Sequence, residues 1–131
     1  MENQEHRVWV ALGILSIAAS ILLAAYGRHG IQVEELQMRW GIAVEYLRFM
    51  GLGVVAMVLV RKVWGMAEQS LWSERLLGAG TACFCGMLLA ESTWPHASLL
   101  SGISWLAPVG GIIMVISWLV FLFEFIYTSN R

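Results

Sequence analysis

The 131-residue chain reads as an all-α protein, a polytopic four-transmembrane-helix bundle in which 1–131 form one membrane domain. Three observations predict this. Four apolar runs are separated by short polar connections and leave almost nothing over for a soluble domain. Hydrophobic residues make up 59% and charged residues 13%, and the mean hydropathy of +0.71 lies above that of a water-soluble domain of this size. The runs are apolar on every face, which excludes a membrane β-barrel, whose strands alternate with period two.

The first run spans 8–26, the second 41–60 and the fourth 108–127, each long enough for the roughly 20 residues that cross a hydrocarbon core. The third, Leu76–Ala90, is short. It reaches adequate length over 72–90 if Leu71 and Trp72 enter the interface, with Glu74 and Arg75 among the headgroups. The first run is read as a membrane helix rather than a cleaved leader, because Glu2 and Glu5 outweigh Arg7 and the run is longer than a usual leader core.

An even number of crossings puts both termini on one side. Arg7, Arg61, Lys62, Arg75 and Arg131 lie on that side, against Arg28 and Arg39 on the other, with Arg48 opposite but inside the second helix. The positive-inside rule therefore predicts cytoplasmic termini. A net charge of −1 recommends no nucleic-acid partner.

The connections carry local signals. Gly27 and Gly30 flank His29 where the first helix is expected to end, and glycine adopts the left-handed conformation that ends helices. The stretch after them is an amphipathic lead-in to the second helix, where Glu35 and Arg39 are spaced to pair one turn apart. The link Arg61–Ser70 is short, so the second and third helices are antiparallel neighbours. Between the third and fourth, Leu99–Leu106 is expected to form a short interfacial helix or a re-entrant piece. Pro108 then opens the fourth helix, where its missing N–H leaves no bond unmade.

Two stripes of small residues suggest close packing: Ser16, Ser20 and Ala24 in the first helix, and Gly78, Ala82, Gly86 and Ala90 in the third. The simplest arrangement packs the stripes on each other or on neighbouring helices, and a stripe used for self-association is the alternative. Cys83 and Cys85 lie about 200° apart around the third helix and cannot easily bridge each other. They are read as small packing residues.

Residues able to carry chemistry gather toward the non-cytoplasmic side: Arg28, His29, Glu45, Arg48, Glu91 and His96. An ionisable side chain in a membrane helix costs on the order of 2.5 to 3.5 kcal/mol on insertion scales, so it usually has a partner or faces water. Glu45 and Arg48, three residues apart, can neutralise each other, or Arg48 can snorkel outward, or both can line a polar ligand pocket. Gly110 and Gly111, at the start of the fourth helix, add backbone N–H groups that favour an anion there, or allow close helix packing. His29 and His96 lie in no metal or haem motif, so neither a metal nor any other cofactor is expected. Enzyme signatures are likewise missing: no nucleophile with a base, no phosphate loop and no dense carboxylate cluster.

The segment Ala25-Tyr26-Gly27-Arg28-His29-Gly30 resembles the GAFGAHG-like signature of the YgdD-like family, small bacterial inner-membrane proteins of unknown function related to eukaryotic transmembrane protein 256. Ala43-Val44-Glu45-Tyr46, Phe84-Cys85-Gly86, and Pro108-Val109-Gly110-Gly111 with Trp118 resemble further motifs of that family in the same order. The resemblance covers nearly the whole chain and implies a four-helix fold in the inner membrane, but no reaction. Where the family carries a Y-Q-M-Y-H run, this chain has Tyr46-Leu47-Arg48-Phe49-Met50, so the intramembrane histidine is absent and an arginine is gained.

Two function classes follow. One is a non-enzymatic structural or accessory membrane protein that interacts with lipid, with other membrane proteins or with itself. The other is a small oligomeric transporter or carrier that binds an anionic ligand in a polar pocket at the non-cytoplasmic half.

Overall fold

The computed structural model describes residues 2–66 and 71–129. Its helices are α1 (Glu2–Gly30), α2 (Glu34–Val63), α3 (Trp72–Thr93), α4 (Ser98–Ile103) and α5 (Leu106–Ser129). No strand occurs among the described residues. By length and composition, α1, α2, α3 and α5 can each cross a membrane. The helices extend past the apolar runs of the sequence at one or both ends, because backbone groups near the membrane must be paired within the helix until water or a cap can take over. Arg131, counted above as a topology marker, lies outside the described residues.

The spans pack chiefly as successive pairs, α1 on α2, α2 on α3 and α3 on α5. Large apolar side chains such as Leu15, Leu22, Ile112 and Phe123 stay exposed on the outer helices, which is where a bilayer would meet them. The core is small: Val54, Met57, Leu77 and Met114, with Trp9, Phe84 and Phe121 packed against it. α4 sits where a short helix was expected and carries no buried residue. Pro108 falls inside the first turn of α5, two residues after its start at Leu106.

Glycines set two close backbone approaches, and Ser16 of the α1 stripe flanks one of them. A Cβ built on Gly80 would lie 2.8 Å from the Gly110 carbonyl oxygen, and one on Gly110 would lie 2.7 Å from that of Gly80. Gly13 and Gly51 bring α1 and α2 together in the same way, at 2.7 and 2.8 Å. The two stripes do not pack on each other. Ser16 and Ser20 of α1 face α2, whereas Gly78 lies under the Trp9 ring and a Cβ at Gly86 would meet nothing within 4 Å. Gly78, Ala82 and Gly86 line an apolar cleft of about 290 Å³ between α1, α2 and α3, and Ala90 is half-buried beyond it.

Left-handed backbone occurs at Gly65 alone among the described residues, with φ +60°. It ends α2: the Trp64 N–H donates to the Val60 carbonyl at 3.0 Å and the Met66 N–H to the Arg61 carbonyl at 2.9 Å, the pattern of a glycine-terminated helix. Gly27 and Gly30, expected to play that part in α1, remain in helical conformation.

The chain past Arg61 leads into the most buried polar cluster. Arg61 is 1% exposed and Glu74 0%. The guanidinium grips Glu74 with two bonds, Nε to Oε1 at 2.9 Å and Nη2 to Oε2 at 3.1 Å. Nη2 also donates to Glu124 Oε2 at 2.7 Å and to Ser73 Oγ at 2.9 Å. Ser73 Oγ donates to Glu74 Oε2 at 2.8 Å, and Ser117 Oγ to the Ser73 carbonyl at 2.7 Å. Glu74, expected at headgroup depth, thus faces Arg61 inside the bundle rather than open solvent. The bidentate pair compensates the carboxylate for the water it loses on burial, and α2 runs on to Val63, which carries Arg61 to the level of α3's first turn.

Arg61→Ala leaves a buried carboxylate without its cation and is expected to cost about 3–5 kcal/mol in unfolding from detergent micelles. The combined change Arg61→Met, Glu74→Leu and Glu124→Gln is expected to cost much less, because no charge is then stranded. Equal losses in the two variants would show that the ionic contacts contribute no more than side-chain volume.

Candidate functional site

At the opposite end of the bundle, the last turns of α1 and the first half of α2 enclose a groove of about 500 Å³. Its walls are built by two side chains of α2. Trp40 is buried, its Nε1–H donates to the Leu23 carbonyl at 2.6 Å, and its ring lies against the Cα of Gly27 in the space a Cβ would occupy. Tyr26 tilts against the same ring, with centroids 5.3 Å apart. One turn earlier, Gln37 Nε2 donates to the Gly27 carbonyl at 3.2 Å and reaches that of Arg28 at 3.5 Å. These carbonyls belong to α1's final turn and have no partner within their own helix. The α2 side chains therefore cap α1 and anchor its end.

Arg28, Glu45 and Arg48 line this groove together with Gln37 and Trp40. Arg48 stands seven residues past Gly41, roughly 10 Å deeper by helical rise. Its Nε donates across the helix pair to Ser20 Oγ at 3.3 Å, and Ser20 Oγ, fully buried, donates to the Ile17 carbonyl at 2.6 Å. The expected neutralisation of Glu45 by Arg48 does not form. Arg48 reaches sideways to α1 rather than back along α2, and no ion pair within 4.0 Å involves Arg28, Glu45 or Arg48 among the described residues.

The other sequence candidates lie elsewhere. Glu91 faces Arg39 at 3.8 Å, and Arg39 also pairs with Glu35 at 2.9 Å, a brace between α3 and α2. His29 is exposed, and its carbonyl accepts from Gln32 Nε2 at 3.4 Å. His96 is exposed on the connection between α3 and α4. Gly110 is taken up by the contact with Gly80, and Gly111 lies beside the Phe84 ring, so neither contributes to the groove. Cys83 and Cys85 are free thiols. Among the described residues no group of three or more His, Cys, Asp or Glu is arranged to hold a metal.

Sequence reasoning missed Gln37 and Trp40, whose spacing of three puts them on one face of α2 and was the signal available. It also read Arg61 only as a topology marker and passed over Glu124, an acidic residue inside an otherwise apolar span. His6 was missed too: it is fully buried, and neither ring nitrogen has a hydrogen-bond partner among the described residues.

Gly27→Leu must displace the Trp40 ring. Overpacking of this kind costs about 1–3 kcal/mol, so a lowered melting temperature and faster amide exchange in the last turn of α1 are expected. Unchanged exchange there would mean that Trp40 does not hold the helix end.

Two relatives align over most of the chain. A UPF0382 membrane protein of Schizosaccharomyces pombe is 33% identical over 111 residues, covering 81% of this chain and 87% of the relative. A UPF0382 membrane protein of Staphylococcus haemolyticus is 25% identical over 117 residues, covering 87% and 91%. No solved structure matches. Residues 23–111, which include every residue of the polar groove, match the family model described as "Protein of unknown function (DUF423)". The chain belongs to that family of multi-pass membrane proteins, in keeping with its YgdD-like motifs and four apolar helices.

Proposed function

We propose that this protein acts without catalysis, as an accessory component of the bacterial inner membrane that holds an anionic lipid headgroup in the outer half of its bundle, with both termini in the cytoplasm. One observation carries the reading: Arg28 from α1 and Arg48 from α2 line a single groove, and neither is neutralised by a carboxylate within 4.0 Å among the described residues. A guanidinium inside a membrane span carries an insertion cost, which a lipid phosphate offsets through charge-assisted hydrogen bonds. The orientation rests on the excess of Arg and Lys at the terminal side. The bacterial setting rests on the YgdD-like motifs.

Native mass spectrometry of protein released gently from membranes tests the binding. Wild type is expected to retain a phospholipid that Arg28→Ala and Arg48→Ala lose together or singly. A lipid-free wild type, or retention unchanged in both variants, defeats the proposal. Orientation is tested by reporter fusions after Tyr127 and within the Gln32–Val33 turn: cytoplasmic activity is expected at the first and periplasmic activity at the second, and the reverse pattern overturns the assignment.

A further inference from the structure

The groove contains more than cation. Glu45 lines it between the levels of the two arginines, without an ion-pair partner within 4.0 Å among the described residues. A simple anion would gain from Arg28 and Arg48 but meet repulsion from Glu45; a simple cation would meet the reverse, and two guanidiniums outweigh one carboxylate. A ligand with both charges, suitably spaced, satisfies Glu45 and Arg48 together.

Resting on the lipid-binding reading above, we infer that the groove is built for a zwitterionic phospholipid headgroup carrying a primary ammonium, as in phosphatidylethanolamine. The phosphate is held by Arg48, the deeper of the two arginines. The ammonium is held by Glu45, helped by Gln37 of the same wall. Gln37 commits its Nε2 to α1 carbonyls, which leaves the amide's carbonyl oxygen as its acceptor.

The order along α2 fits the occupant. Gln37, Trp40 and Glu45 come first and Arg48 last, and Glu45 lies about 4.5 Å nearer the membrane surface than Arg48 by helical rise. In such a lipid the ammonium is likewise joined to the outer side of the phosphate. The depth of Arg48 also favours a lipid over a soluble ligand, since a lipid already resides where the groove opens, beside the exposed apolar residues Ile21, Ile42 and Phe49.

The test uses the full chain in detergent, offered phosphatidylethanolamine, phosphatidylglycerol or phosphatidylcholine with identical acyl chains, and read by native mass spectrometry. Wild type is expected to retain the ethanolamine lipid over each of the others by about three- to fivefold, the range set by a partly exposed ion pair. Glu45→Gln, a change at an exposed position, is expected to erase that preference while binding of the glycerol lipid persists. Arg48→Ala, checked for retained helicity and an unchanged elution volume, is expected to weaken all three.

If wild type holds ethanolamine and glycerol lipids equally and Arg48→Ala loses both, the ammonium assignment is overturned while the anionic-headgroup reading survives. Choline lipid bound as well as ethanolamine lipid also overturns it, because Glu45 and Gln37 would then not be reading N–H donors. Soluble phosphoethanolamine displacing the lipid at equal concentration would move the ligand out of the membrane and overturn the lipid assignment. No lipid retained by any variant would remove both readings at once.

Discussion

The bidentate grip of Arg61 on Glu74, extended to Glu124, is the constraint on which the packing of three spans depends. It joins the end of α2, the start of α3 and the last turns of α5, with Arg61 and Glu74 almost wholly buried. The guanidinium also lies 5.6 Å from the centre of the Phe121 ring, so its face is covered as well as its edges. In a membrane the apolar surfaces between helices have no hydrophobic drive to associate, because lipid tails solvate them equally well. Geometry has to come from directional contacts and from backbones that meet closely. The cluster supplies the first, and the Gly80–Gly110 contact on the same helix pair supplies the second.

α1 is attached differently. It packs mainly on α2, through the Gly13–Gly51 approach near its middle and through Trp40 and Gln37 at its end. Toward α3 it offers the Trp9 ring over Gly78, the exposed pair Glu5 and Arg75 at 3.3 Å, and otherwise an apolar cleft. An exposed pair of that kind contributes little. α1 is therefore joined to the bundle chiefly through α2, and the polar groove lies along the α1–α2 seam.

The spans were legible because hydropathy is a local property, and the short α4 was legible from the proline and glycine around it. Helix ends were less so: Gly27 looks like a terminator, yet its missing side chain makes room for Trp40, thirteen residues away in sequence. The same limit applies to charge. The spacing of Glu45 and Arg48 says that they can meet, but the position of Ser20 on a different helix decides that Arg48 turns away. Arg61, Glu74 and Glu124 belong to three helices, and only their convergence in space turns two interfacial-looking charges and an isolated glutamate into a buried cluster.

The two polar regions of the bundle differ in a way that bears on function. At the terminal side, guanidinium, carboxylates and hydroxyls satisfy one another, which is what a fold needs from charges it buries. At the other side, Arg28, Glu45 and Arg48 share a groove and are exposed, and no ion pair neutralises them among the described residues. Structural need accounts for only part of this second arrangement. α1 is already capped by Gln37 and fixed by Trp40 and Gly27, and Arg48 adds one hydrogen bond to Ser20, so the charges of Arg28 and Glu45 are not required to hold it. Charges that a membrane protein keeps at a cost, outside the contacts that maintain its fold, are suited to a partner that supplies the opposite charge. In a membrane the headgroup of a lipid is the partner nearest to hand.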